Sequence, residues 1–267
     1  MIKLIATDID GTILKHNYQF SDNVKSCIKN LINSGTKVVL VTGRMYAATR
    51  EIADLLGIET PVVTYQGGLI KYNGETLYEK NVDVKSAKEV IELAKKSNVH
   101  LNLYIDDKLY VEKDDEVIRR YIKQGVPDFC VKSFDKINLE DGNINKILLV
   151  DFECPEKVTK WHDFLKEKFS NLSIVKSTPF FCEVSHKEAT KFHSLDFLIN
   201  HFGLKRGEVL AIGDQNNDLD LLRAGGIKIA MGNATPELKA VADYVTDSVE
   251  NDGFVKAVEK FVYNKVI

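Results

Sequence analysis

Lys3-Leu4-Ile5-Ala6-Thr7-Asp8-Ile9-Asp10-Gly11-Thr12 is the stretch whose reading decides the fold. Its first half, 3–7, is a short apolar run of the kind that forms a buried β-strand. Its second half places two carboxylates one residue apart, directly where that strand ends. Like charges so close repel unless a cation or a shared proton offsets them. Gly11 lets the backbone turn sharply and approach a ligand closely. Such a loop suits a nucleophile, an acid/base and a hard metal ion together. An acidic pair alone equally suits a helix cap or a solvated turn, so the reading depends on what the rest of the chain supplies.

Three further pieces follow in order. Thr42-Gly43-Arg44 comes after the strand-like run 37–41. Lys191 opens an amphipathic segment, and Gly213-Asp214-Gln215-Asn216-Asn217-Asp218 comes after the apolar run 209–212. Three of the four pieces therefore sit just beyond a β-type run. In open α/β sheets, ligands bind outside the carboxyl ends of the strands.

The surrounding pattern agrees. Ser21 is placed to cap a helix over 22–33 that Gly35 ends, and a helix over 46–56 follows the strand at 37–41. Residues 61–65 read as a further strand. Strands separated by helices predict a parallel sheet of βαβ crossovers. The texture changes after Gly74. Asn73-Gly74 marks a hairpin between 69–72 and 76–79, and a second hairpin is expected around Asp106-Asp107. Helices are expected over 84–97, 115–124 and 155–169, the last with Pro155 at its start. Strands are expected at 146–151, 173–176 and 180–184. Beyond residue 185 the alternation resumes, with helices over 190–202, 217–224, 236–241 and 253–263 and strands at 208–212, 227–231 and 244–246. The expected fold is α/β: a Rossmann-like core with a parallel sheet, formed by 1–80 and 187–267, interrupted by an inserted α+β cap domain at 81–186.

The chain has 267 residues, 44% hydrophobic and 28% charged, the profile of an ordinary globular protein. A net charge of −3 gives no reason to expect nucleic acid or an anionic membrane as partner, and no segment is apolar enough to span a bilayer. The strand begins at once, which leaves no signal peptide ahead of it. Cys27, Cys130, Cys154 and Cys182 are scattered, without a C-x-x-C pair, as expected for reduced cysteines in a cytoplasmic protein. The six histidines show no metal-ligand spacing. A monomer or weak homodimer is expected.

The four pieces, in this order, resemble the motifs of the haloacid dehalogenase superfamily of phosphatases, and most closely its Cof-type hydrolases, along nearly the whole chain. The resemblance implies a Mg²⁺-dependent phosphomonoester hydrolase acting on small phosphorylated metabolites, sugar phosphates foremost. Asp8 would be the nucleophile, forming an aspartyl-phosphate without needing a base to activate it. Asp10 would be the general acid/base, with its backbone carbonyl turned to the metal. Thr42, with the neighbouring N–H groups of Gly43 and Arg44, would hold the phosphoryl oxygens. Arg44 suits a phosphate or a nearby acid equally. Lys191 lies eight residues after Glu183, as the family pattern requires, and would offset phosphoryl charge. Asp214 would complete the metal ligands with Asp8, Asp10 and Asp218, the last as a supporting or water-mediated ligand. Asn217 would bind phosphate or orient its loop. Two positions depart from the pattern: Phe192 stands where a Gly is usual, and Gln66 where an Asn is usual. A phosphomutase or phosphotransferase of the same superfamily, or a regulator that binds a phosphometabolite without turnover, are the alternative functions.

Overall fold

The computed structural model describes residues 1–123 and 128–263. In chain order the elements are β1 (Leu4–Thr7), α1 (Asp22–Asn33), β2 (Lys37–Leu40), α2 (Tyr46–Leu56), β3 (Val62–Thr64), β4 (Leu69–Tyr72), β5 (Glu75–Glu79), α3 (Val84–Lys96), β6 (His100–Ile105), β7 (Lys108–Val111), α4 (Glu116–Ile122), β8 (Cys130–Val131), β9 (Ile144–Val150), α5 (Pro155–Lys168), β10 (Leu172–Thr178), β11 (Phe181–His186), α6 (Lys191–His201), β12 (Val209–Gly213), α7 (Leu219–Ala224), β13 (Ile227–Ala230), α8 (Pro236–Val241), β14 (Tyr244–Val245) and α9 (Gly253–Phe261). They fall into two compact units: one of Met1–Arg44, Thr49–Tyr78 and Thr190–Ile267, the other of Met45–Ala48 and Glu79–Ala189.

The first unit is built on a parallel sheet in the order β14-β13-β12-β1-β2. All four residues of β1 are fully buried, because a central parallel strand is covered on both faces and reads as an unbroken apolar run. Its neighbours β12 and β2 come from opposite ends of the chain, so neither section completes the sheet without the other. Ser21 caps α1 by accepting from the Val24 N–H, and Val24, Cys27, Ile28 and Leu31 form its buried face. One expectation needs correcting. Residues 61–65 do not extend the parallel sheet as a full strand: β3 pairs antiparallel with β4 in a separate three-stranded sheet, β3-β4-β5, and meets the parallel sheet only through a single bridge, Val63 to Val41. The cause is the sharp left-handed turn at Tyr65 and Gln66, which doubles the chain back.

The second unit holds a six-stranded sheet, β10-β11-β9-β6-β7-β8. Its pairs are antiparallel except β7 with β8. Leu101, Leu103, Ile105, Ile147, Leu149, Cys182 and Val184 alternate onto one face and bury against Val90 and Ile91 of α3 and Leu165 of α5. On the other face Lys146 and Glu183 form a buried ion pair of 3.1 Å, beside Tyr104 and Tyr121, whose hydroxyls lie 2.6 Å apart. The helix expected over 115–124 has its last residue outside the described ones; Asp115 caps its described part, α4. The short strand β8 carries no period-2 pattern in its two exposed residues and was not expected. None of the four cysteines is in a disulfide, and no described helix is long and apolar enough to cross a membrane.

Candidate active site

Three loops leave adjacent strands at one edge of the parallel sheet. Asp8 follows β1, Thr42 lies just beyond β2, and Asp214 follows β12. The register pairs Thr7 with Leu40 and with Ile212, which sets all three loops at one level. Asp8 is anchored by its own N–H, which donates to the Ile212 carbonyl at 3.1 Å. The chain then folds back on itself: the N–H groups of Thr12, Ile13 and Leu14 all donate to the Ile9 carbonyl. Gly11 has φ +77, and a Cβ there would sit 2.4 Å from Asp214 Oδ2. Both the backbone conformation and the crowding demand glycine at this position.

Lys191 binds the acidic groups together. It is the first residue of α6, whose N-cap Thr190 accepts from the His193 N–H. Its Nζ donates to Asp8 Oδ1 at 2.7 Å and to Asp218 Oδ1 at 2.6 Å, and it is 1% exposed. The other Asp218 oxygen accepts from the backbone N–H groups of Asp214 and Gln215 at 3.0 and 3.1 Å. Asp214 accepts from Thr12 Oγ1, Gln215 Nε2 and Asn233 Nδ2. Asp8, Asp214 and Asp218 each offer a carboxylate oxygen within 4.8 Å of the others.

The electrostatics follow from this crowding. Burial works against the Lys191 charge, yet Asp218 and Asp8 outweigh it, and the ammonium is held well above its usual range. Burial pushes Asp8 well above the carboxylate range; Lys191 pulls it back, while Asp218, Asp214 and Asp10 push it further. Burial, aided by Asp218, pushes Asp214 up to about 7. Three carboxylates against one ammonium leave an excess of negative charge, which a divalent cation would offset. The donors are hard oxygens, the set that suits Mg²⁺. Both oxygens of Asp214 and of Asp218, and one oxygen of Asp8, already accept from protein donors, so a metal at this group would share or displace some of those hydrogen bonds.

The remaining expected residues surround this group. Thr42 is 2% exposed, and its hydroxyl accepts from the Arg44 N–H at 3.2 Å. Of the two partners open to Arg44, the structure has the acid: Nε and Nη2 donate to both oxygens of Asp10 at 2.8 and 2.6 Å. Asn217 Nδ2 donates to Gln66 Oε1 at 3.1 Å. Phe192 points away from this polar group, stacking edge-on with His193 and lying under Arg206. Glu183, which located Lys191 in the sequence, pairs instead with Lys146. Sequence reasoning missed Thr12, Gln215 and Asn233. Asn233 also donates to the Gly11 carbonyl at 2.9 Å, tying two loops. The signal that could have found it is a polar residue shortly beyond β13, one strand over from β12.

Comparison with known proteins gives the same picture. The sequence model of the haloacid dehalogenase-like hydrolases matches residues 5–258. A Haemophilus influenzae relative is 30% identical, over 97% of this chain and 98% of its own length. A 5-amino-6-(5-phospho-D-ribitylamino)uracil phosphatase of Bacillus subtilis is 28% identical, over 98% of this chain and 96% of its own length. The crystal structure of a Thermotoga maritima protein superimposes with a TM-score of 0.86 at 30% identity, covering 98% of each chain. With that fold, and the motif residues gathered at one sheet edge, the chain belongs to the haloacid dehalogenase-like hydrolases, as one of their phosphatases.

Proposed function

We propose that the chain is a Mg²⁺-dependent phosphomonoester hydrolase of small phosphorylated metabolites, working through an aspartyl-phosphate on Asp8. The observation that carries this reading is the buried Asp8 carboxylate, held by Lys191 at 2.7 Å beside Asp214 at the carboxyl edge of the sheet. One oxygen of Asp8 is bound by Lys191, which leaves the other to attack phosphorus. In the first step the Asp8 O–P bond forms and the bond to the leaving oxygen breaks, with Asp10 giving that oxygen a proton. In the second, water attacks phosphorus, Asp10 takes its proton, and the Asp8 O–P bond breaks to release phosphate. Asp10 first has to let go of the Arg44 fork, since both its oxygens accept from it. Arg44, Thr42, the Gly43 N–H and Asn217 would then hold the phosphoryl oxygens. Asp8, the Asp10 carbonyl and Asp214 would ligate the metal, with Asp218 supporting Lys191 and the Asp214 loop. When bound, the metal would neutralise charge on the phosphoryl group.

Catalysis is assigned to 1–80 and 187–267, and substrate selection to a cap at 81–186. Phosphorylated small molecules, sugar phosphates included, are the proposed substrates; the Bacillus subtilis 5-amino-6-(5-phospho-D-ribitylamino)uracil phosphatase acts on a molecule of this class. A cytoplasmic setting, as a monomer or weak homodimer without nucleic-acid or membrane partners, completes the reading. The test is phosphate release from an aryl phosphate and a panel of sugar and nucleotide phosphates, with Mg²⁺, with chelator, and with Asp8→Asn. Release that requires both metal and Asp8 supports the hydrolase. Isomerisation of a hexose phosphate without net release would replace it with the mutase.

A further inference from the structure

We propose that Gln66 is a positioning residue that fixes the orientation of the Asn217 amide and its spacing from the Thr42-Gly43-Arg44 loop, so that both meet the same phosphoryl group. The proposal rests on the phosphohydrolase reading and adds a residue to its machinery. Gln66 is 7% exposed and makes contact with two of the motif loops at once. Its N–H donates to the Thr42 carbonyl at 3.0 Å, while the N–H of Tyr65 donates to the Arg44 carbonyl at 3.0 Å. Its Nε2 lies where a Cβ on Gly43 would come within 2.4 Å, so the amide packs directly on the Gly43 backbone. Its Oε1 accepts from Asn217 Nδ2. The next residue, Gly67, runs so close to the start of α6 that a Cβ would fall 2.2 Å from the Thr190 carbonyl, beside Lys191.

The backbone here is held in an unusual state. Tyr65 and Gln66 have φ of +53 and +58 in succession, and neither is glycine. Such conformations persist only where the surroundings over-determine them, and they concentrate at functional sites. The turn aims the Gln66 side chain across the sheet edge toward Asn217. An Asn amide carries two N–H donors. Gln66 engages one, which stops rotation of the amide and gives the other a constant heading. An Asn side chain here would be one methylene shorter and would not span from this backbone to Asn217 while packing on Gly43. The longer side chain and Asn217 therefore act as a pair.

The experiment is a double-mutant cycle with Gln66→Asn, Asn217→Ala and the double variant, in the full chain with Mg²⁺. Its readouts are KM and kcat for an aryl phosphate, the inhibition constant of inorganic phosphate, and the melting temperature. Positioning predicts that Gln66→Asn raises KM and the phosphate inhibition constant about tenfold with kcat changed less than about threefold, and that adding it to Asn217→Ala costs little more. Unchanged phosphate inhibition in Gln66→Asn, or penalties that multiply independently in the double variant, would overturn it. Gln66→Met, equal in length but without the amide, carries the same cycle if the Asn variant does not fold. If the wild type releases no phosphate from any substrate, the hydrolase reading has failed on its own. Inorganic phosphate binding by calorimetry on the same four proteins then decides the positioning role.

Discussion

At the scale of single residues, the site is governed by how few cations face its carboxylates. Asp214, pushed up to about 7 by burial and by the charge of Asp218, binds its proton more tightly in the folded protein than in the unfolded chain. Between about pH 4 and pH 7 the folded state therefore holds the extra proton, and metal-free stability falls as pH rises through that window. The loss is on the order of 4 kcal/mol at most. Mg²⁺ competes with the same proton, so its affinity rises as pH climbs toward and past about 7. Thermal melts of chelated protein are expected to drop from about pH 5 to pH 7.5, with Mg²⁺ recovering most of the loss at the higher pH and little at the lower. Asp214→Asn flattens the metal-free fall; a slope that survives this variant would assign it to another group. Lys191→Met is the complementary change. It leaves Asp8 and Asp218 buried without their ammonium, at a cost of about 3–5 kcal/mol. Urea unfolding measures that cost, and Mg²⁺ should recover part of it.

At the scale of elements, the loops work because short strands deliver them at one level and glycine lets them touch. Gly11→Ala tests this directly. The added methyl has to displace the Asp214 carboxylate and hold a left-handed φ. We expect a loss of about 1–3 kcal/mol in stability and a fall in Mg²⁺ affinity larger than Asp10→Asn produces, read by calorimetry. Equal metal affinity in Gly11→Ala would mean the loop has room that the geometry denies. The same elements explain what was legible beforehand. β1, β2 and β12 announce themselves as apolar runs with an acidic or hydroxyl residue after each, so the meeting of Asp8, Thr42 and Asp214 at one sheet edge was legible by position. The α1 cap at Ser21 and the Asn73-Gly74 turn were equally plain, because local chemistry alone fixes them. The turn at Tyr65-Gln66 was not. Neither residue favours positive φ, and the turn is held by hydrogen bonds to Thr42 and Arg44, some twenty residues away. Asn233 was hidden for the same reason: its partners Gly11, Asp214 and Val249 are set by the sheet, not by its neighbours in sequence.

At the scale of the molecule, the chain carries a second compact unit that has its own core. The change from alternating strands and helices to paired strands was legible in the sequence, since parallel and antiparallel sheets demand different connections. The second unit's buried polar face was illegible: Lys146 and Glu183 lie on different strands, far apart in the chain, and long charged residues normally read as surface. That pair supplies the last prediction. Lys146 and Glu183 are both nearly inaccessible and 3.1 Å apart. Burial opposes the Lys146 charge, yet Glu183 more than offsets it and holds the ammonium above its usual range. Lys146→Met removes the cation and strands the Glu183 carboxylate, which should cost about 3–5 kcal/mol; adding Glu183→Gln should return much of it, because a buried pair replaced as a whole is often nearly neutral. The proposed metal ligands all belong to the other unit. Hydrogen exchange should therefore show Lys146→Met loosening β6, β9 and β11, while Mg²⁺ protects the loops after β1 and β12 in variant and wild type alike. Loss of the Mg²⁺ protection in Lys146→Met would mean that the two units do not hold their stability separately.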